Sequence, residues 1–192
     1  QDSLELYLQP QLDLSGSRVT GAEVLIRWKH PQHGFIPPDQ FIPLAERTGV
    51  IQPLTYWVFQ KAFSHLQKLN ALGHQLTLSV NISARNLQDP AFQDKVLIAA
   101  QQHQISPSQI VMELTETAVM LNENSGATIL YDLDRAGFGI AIDDFGTGYS
   151  SLAYLKRLPV QEIKIDRAFI KDMAQQQDDQ IIVTTTLQMG HN

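Results

Sequence analysis

Five short apolar runs, each interrupted or closed by a polar or charged residue, set the strongest limit on how this chain folds. Glu23 sits inside Ala22-Glu23-Val24-Leu25, and Asn81 follows Leu78-Ser79-Val80. Glu113 follows Ile110-Val111-Met112, Asp143 follows Ile140-Ala141-Ile142, and Lys164 interrupts Ile163-Lys164-Ile165-Asp166. Helical stretches fall between these runs, the alternation of an α/β domain with a largely parallel sheet. Polar groups gathered toward the C-terminal ends of successive strands mark the catalytic mouth of a (β/α) barrel. In a doubly wound sheet, ligands likewise bind beyond the carboxyl ends of the strands.

The local pattern supplies the elements. Leu4–Leu8 alternates as a strand, and Asp13–Ser17 reads as a hairpin turn into a second strand over Arg18–Trp28. Further strands are expected at Leu76–Ile82, Ile110–Leu114, Gly139–Ile142 and Glu162–Ile165. A helix over Thr55–Leu72 has Trp57, Val58, Ala62, Phe63, Leu66 and Leu69 on one face, and Gly73 ends it. Other helical segments fall near Pro90–His103, Ser125–Ala136 and Leu152–Arg157, and the polar Gln175–Asp179 leads into one more. A chain of 192 residues that is 43% hydrophobic can bury a proper core and is most simply one domain.

The segment from Asp143 to Leu152 carries the most chemistry. A buried strand runs into two adjacent carboxylates, which repel each other and are costly to desolvate unless a cation neutralises them. An exposed turn with solvated acids fits less well, because apolar residues abut the pair. Gly146, Gly148, Ser150 and Ser151 then make a mobile loop of the kind that closes over a substrate. Glu23, Asn81, Glu113, Asp143 and Asp144 are all oxygen donors; with no Cys in the chain and no His among them, they favour Mg²⁺ or Mn²⁺ over zinc. Asp143 shared between two ions, with Asp144 beside it, suits the pair ~3.5–4 Å apart that hydrolyses phosphodiesters. Lys164 would orient the attacking water or stabilise charge on the phosphate. Period-2 alternation puts Glu113 with Thr115, and Lys164 with Asp166, on the inward face, while Ile163 and Ile165 face the helices. His30 and His33 bracket a loop and read as no metal site.

A net charge of −6 and the lack of a Lys/Arg cluster argue against a nucleic-acid groove but leave room for a small anion held through metal ions. The absence of cysteine excludes disulfides and thiolate sites. No apolar run approaches the ~18 residues of a membrane span, and no signal peptide is visible.

Ala22-Glu23-Val24-Leu25-Ile26-Arg27-Trp28 resembles the signature of the EAL domain, the cyclic di-GMP phosphodiesterase family, with Val24 where Ala usually stands. Leu8-Gln9-Pro10, Phe41–Glu46, Asn81-Ile82-Ser83, Glu113–Glu116, Asp143–Leu152 and Lys164-Ile165-Asp166 are similar to its remaining motifs, in the same order. The resemblance implies a TIM-like (β/α)8 barrel with an antiparallel first strand and cleavage of one phosphodiester of cyclic di-GMP, giving linear pGpG. It implies that Glu23, Asn81, Glu113 and Asp143 hold one Mg²⁺ or Mn²⁺, that Asp143 and Asp144 hold a second, and that Lys164 lies near the nucleophilic water. Gln9 and Arg27 match dinucleotide contacts. Glu116 matches an anchor of the loop after Asp144 that couples dimerisation to the active site. A homodimer, a flanking sensory or GGDEF domain and a cytoplasmic site of action belong to the same expectation, with no nucleic-acid or membrane contact by this domain; the parent protein could be membrane-anchored.

Two departures stand out. Val24 adds methyl groups near the metal without removing a ligand. In the family a seventh strand supplies a general-base Glu and an eighth a substrate-contacting Gln, and neither falls within Gln1–Asn192. The expectation is therefore a domain over 1–192 lacking its last two strands and trimmed at its start, inactive as that stretch alone. The alternatives are an inactive cyclic di-GMP receptor, against which the full set of ligands in this stretch argues, and an enolase-like metal lyase, which leaves the Phe145–Leu152 loop unexplained.

Overall fold

The computed structural model describes residues 3–120, 125–148 and 152–190. Strands β1 (Leu4–Leu12) and β2 (Val19–His30) form an antiparallel hairpin, and β3 (Gly34–Ile36) pairs antiparallel with the far end of β2. From β2 the sheet continues in parallel through β4 (Thr77–Asn81), β5 (Ile110–Thr115), β6 (Gly139–Phe145) and β7 (Glu162–Ile165). Among the described residues the path runs β1-β2-β4-β5-β6-β7, with β1 and β7 at its two ends. The antiparallel start and parallel remainder agree with a TIM-like barrel wall. Pro10, which has no N–H to give a ladder, is tolerated in β1 because that strand is at the edge.

Helices α1 (Pro38–Thr48) and α2 (Ile51–Ala71) follow β3, and α3 (Phe92–Gln102) follows β4. Next come α4 (Glu116–Met120) and α5 (Ser125–Arg135) after β5, and α6 (Leu152–Leu155) after β6. Helices α7 (Arg167–Asp172) and α8 (Gln177–Gly190) end the described chain. No helix among the described residues is long and apolar enough to cross a membrane.

Alternation along the strands explains where the core sits. Leu78 and Val80, Ile110, Met112 and Leu114, and Ile140 and Ile142 all face outward and are fully buried against Phe59, Phe63, Phe92 and Leu133. Each such side chain is worth roughly 1.5–3 kcal/mol on burial. The opposite face is left for Ser79, Asn81, Glu113 and Asp143.

Two expectations need correction. Helix α2 begins four residues before Thr55, and its buried face is Ile51, Thr55, Phe59, Ala62, Phe63 and Leu66; Trp57, Val58 and Leu69 are only half-buried. Helix α1 has no counterpart among the expected elements, and it carries Pro43 in its interior. It forms because Pro37 and Pro38 occupy the N-cap and first turn, and Gly49 ends it in a left-handed conformation (φ 79°).

Candidate active site

Strands β2, β5 and β6 each deliver a carboxylate to one place. Oxygens of Glu23, Glu113 and Asp143 lie within 4.8 Å of one another. The Lys164 ammonium on β7 sits against all three, 2.8 Å from Glu113 Oε1, 3.1 Å from Glu23 Oε2 and 3.7 Å from Asp143 Oδ2. Asn81 Nδ2 donates to the other Glu23 oxygen at 3.1 Å. Five residues from five strands are thus brought together, because parallel register aligns Asn81 with Glu113 and places Asp143 beside Thr115.

The electrostatics are lopsided. Glu113 is fully buried, and neither of its oxygens accepts a well-formed hydrogen bond; the Lys164 ion pair is its main relief. Burial pushes its carboxyl up to about 7, opposed by Lys164. Burial alone would lower Lys164, but Glu113 first, then Asp143 and Glu23, outweigh it and raise the ammonium to about 12. One ammonium faces three carboxylates, so an ionised cluster is left with uncompensated negative charge in a partly dry setting. Hard oxygen donors, a fully buried carboxylate relieved mainly by one shared ammonium, and excess negative charge all fit a divalent cation such as Mg²⁺ or Mn²⁺.

Asp143 and Asp144 lie on an irregularity of the β6–β7 ladder between Ile142 and Phe145. Asp144 adopts a left-handed backbone (φ 53°), and its N–H donates to Asp143 Oδ1 at 3.0 Å. It stands outside the three-carboxylate group and turns to Asp166. Burial, then the Asp143 charge and the Asp166 contact, raise its carboxyl to about 6. Asp166 corrects an expectation: β7 ends at Ile165, and Asp166 caps α7, accepting from Ala168 N at 2.5 Å, instead of extending the strand face of Lys164. Thr115 lies on the strand face of Glu113, in register with Asp143, and is exposed at the strand end, where its Oγ1 accepts from Ala118 N.

These shifts set a pH dependence. Were Glu113 and Asp144 to hold a cation, each would have to lose its proton, and Mn²⁺ affinity would then fall below pH 7, by up to ~10-fold per pH unit from Glu113 and more steeply below pH 6 from Asp144. The metal-free protein should behave oppositely. Both folded-state pKa values are raised, so stability rises as pH drops from about 7 toward the unfolded values near 4. Calorimetric Mn²⁺ titrations and melting curves at pH 8 and pH 5.5, on the wild type and a Glu113→Gln variant, measure both. Because the lowered His65 pKa works in the opposite sense, the variant is the control, and a variant whose metal-free melting temperature varies with pH as the wild type's does contradicts the assignment.

Glu116 opens α4 and is 2% exposed. Its Oε2 accepts from Gly146 N at 3.0 Å and Gly148 N at 3.3 Å. Gly146 has φ 98°, which favours glycine, and a Cβ at Gly148 would lie 2.9 Å from Glu116 Oε1 and push that carboxylate off its amide partners. Residues Tyr149, Ser150 and Ser151 of the expected mobile loop lie outside the described residues. Each bond to a charged acceptor is worth about 1.5–3 kcal/mol. Glu116→Ala should therefore speed amide exchange at Gly146 and Gly148 by at least ~10-fold and lower turnover while leaving Mn²⁺ bound. Unchanged exchange at both amides would show the contact to be inconsequential.

Gln9 lies directly opposite Glu23 in the β1–β2 pairing and is exposed. Arg27 is on the same face of β2 as Glu23, with its guanidinium 5.7 Å from the Tyr7 ring. It lines a cleft of about 770 Å³ between α1, α2 and the strand ends, shared with Asn81, Asp39, Glu46, Ser83 and Arg85. Periodicity did not reveal this cleft, because its walls come from segments distant in sequence. Val24 lies on the opposite face of β2 from Glu23 and is 4% exposed, so its methyl groups fill the core and do not crowd the carboxylates. His30 Nδ1 accepts from the N–H groups of Gln32 and His33, capping the turn.

The model of the EAL domain family matches residues 1–192. The chain belongs to the EAL domain family. This EAL domain is 43% identical over 188 residues to the "bifunctional diguanylate cyclase/cyclic di-GMP phosphodiesterase MucR" of Pseudomonas aeruginosa, covering 97% of the chain and 27% of MucR. It is 42% identical over 190 residues to the "cyclic di-GMP phosphodiesterase NbdA" of the same organism, covering 98% of the chain and 24% of NbdA. It thus spans about a quarter of the length of these relatives. The solved MucR phosphodiesterase in complex with c-di-GMP superposes with a TM-score of 0.94 at 42% identity, over 98% of this chain and 77% of that one. The Pseudomonas aeruginosa FimX EAL domain bound to c-di-GMP gives 0.88 at 28% identity, over 99% of this chain and 76% of that one.

Proposed function

We propose that this EAL domain hydrolyses cyclic di-GMP to linear pGpG in bacterial second-messenger signalling. The convergence of Glu23, Glu113 and Asp143 around Lys164, in a chain 42% identical to a c-di-GMP-bound phosphodiesterase, carries the reading. Glu23, Asn81, Glu113 and Asp143 would hold one divalent cation, and Asp143 with Asp144 a second. When bound, such cations neutralise phosphodiester charge and make water acidic enough to attack near neutral pH. Lys164 adds a fixed positive charge beside the scissile group and points a hydrogen bond at the attacking water. Gln9, beside Glu23, and Arg27, on the cleft wall, hold the dinucleotide across the cluster. Glu116 keeps the backbone after Asp144 in place.

A homodimer, flanking sensory or GGDEF domains and a cytoplasmic site of action belong to the same proposal. The double activity in the name of MucR supports flanking domains of that kind. The test is product chromatography with cyclic di-GMP and the protein. Mg²⁺ or Mn²⁺ should support formation of pGpG, excess EDTA should stop it, and Ca²⁺ should inhibit because its looser coordination shell spoils the site geometry. Full turnover in excess EDTA contradicts the proposal.

A further inference from the structure

The cleft holds a polar network that none of the roles above uses. Two residues past Asn81, the Ser83 hydroxyl donates to Glu46 Oε1 of α1 at 2.6 Å and accepts from Arg85 N at 3.3 Å. Ser83 N donates to Asn86 Oδ1 at 2.9 Å, and Asn86 N returns a bond to Ser83 O at 2.8 Å. Thr55 Oγ1 of α2 donates to the same Asn86 oxygen at 3.2 Å, and Gln52 Nε2 holds Arg85 O at 3.1 Å. On the sheet side, Ile82 N donates to Glu113 O at 2.9 Å.

The chemistry singles out Glu46–Ser83. An O–H donated to a carboxylate at 2.6 Å is a short, charge-assisted bond, stronger than its neutral counterparts. Asn86 is fully buried, yet its Nδ2 has no partner, so the turn accepts an unsatisfied donor in order to aim Oδ1 at Ser83 N and Thr55. Short ties at Ile82 and Ser83 leave the backbone around Asn81 little freedom. Asn81 itself is exposed and is held to the cluster by its bond to Glu23. A ligand near an open mouth needs its supporting backbone fixed from behind.

We infer that Glu46 and Ser83 are a positioning pair: the Glu46 carboxylate, acting through Ser83, fixes the turn after β4 so that Asn81 meets the carboxylate cluster and Arg85 stays on the cleft wall. The inference rests on the reading of Asn81 as a cation ligand. It also ties the two halves of the site together. Glu46 belongs to the helix that walls the cleft, and Ser83 to the segment that begins at the cluster.

The test is Mn²⁺ titration, without nucleotide, of the protein and its Ser83→Ala, Glu46→Ala, Glu46→Gln and Asn81→Ala variants, with melting curves in parallel. Loss of an outer partner of a metal ligand weakens metal binding ~10–100-fold. Ser83→Ala and Glu46→Ala should weaken Mn²⁺ binding ~10-fold, and Glu46→Gln, which keeps an acceptor oxygen, should recover most of it. At saturating Mn²⁺, turnover should return to within ~2-fold while the half-saturating Mn²⁺ concentration stays raised. Wild-type Mn²⁺ affinity in folded Ser83→Ala, whatever its melting temperature, overturns the inference. If Glu46→Ala does not fold, Ser83→Ala against Glu46→Gln decides. Unchanged affinity in Asn81→Ala also overturns it, by removing the ligand that is positioned. A wild-type protein that binds Mn²⁺ but leaves cyclic di-GMP intact defeats the proposed function alone, since the Mn²⁺ comparison stands without activity.

Discussion

Glu23→Gln should lower the turnover of cyclic di-GMP by ~10³-fold or more without loosening the fold. Both carboxylate oxygens are engaged, one with Lys164 at 3.1 Å and one with Asn81 at 3.1 Å, at the centre of the cluster. The amide keeps the volume but removes a charge that a cation would neutralise. A single electrostatic contact in an active site is commonly worth 10²–10³ in rate, and a lost ligand also disturbs the others. Stability should move the other way. The substitution removes one of three mutually repelling carboxylates, so the metal-free melting temperature should hold or rise. Steady-state kinetics and calorimetry on one preparation separate the two effects. Activity within a few-fold of wild type would remove Glu23 from the reaction.

Lys164→Met has a different signature. Methionine matches much of the length but leaves Glu113, Glu23 and Asp143 without their ammonium. Breaking a buried pair costs ~3–5 kcal/mol. Here the metal-free protein should lose about 2–3 kcal/mol, less than that, because Lys164 and Glu23 each keep 21% of their side-chain surface exposed. Mn²⁺ binding should tighten, since the ammonium no longer competes for the same oxygens, and added Mn²⁺ should restore the melting temperature. Turnover at saturating Mn²⁺ should still fall by ~10²–10³-fold with little change in KM, because the lost contact acts on charge that develops in the transition state. Weaker Mn²⁺ binding in this variant would show that Lys164 supports the cation site and does not compete with it.

The strand-end residues were legible because period-2 alternation links neighbouring positions directly. Leu78 and Val80, or Met112 and Leu114, must face the helices, so Asn81 and Glu113 must face the other way. Parallel register then carries them to one level. What was not legible depends on contacts between distant segments or on backbone detail. Glu46 and Ser83 are 37 residues apart, and the helix that brings them together runs through a proline-rich stretch. Asp166 continues the alternation of β7 on paper, but its carboxylate finds a better partner in the free N–H of Ala168. The left-handed turn at Asp144 separates two carboxylates that are adjacent in sequence and directs Asp144 to Asp166. In α2, the buried face follows Phe59 and Phe63, a phase that became clear only once the helix began at Ile51.

The central claim is that the Glu23–Glu113–Asp143 cluster is a divalent-cation site that Lys164 occupies with its ammonium when the cation is away. Anomalous diffraction from Mn²⁺-soaked crystals of the EAL domain tests it most directly. The account predicts a Mn²⁺ peak within coordination distance of all three carboxylates and of Asn81, with Lys164 moved off Glu113. Carboxylates still paired to Lys164, with no peak between them, in crystals of protein that turns over cyclic di-GMP in the same Mn²⁺ solution, would contradict it.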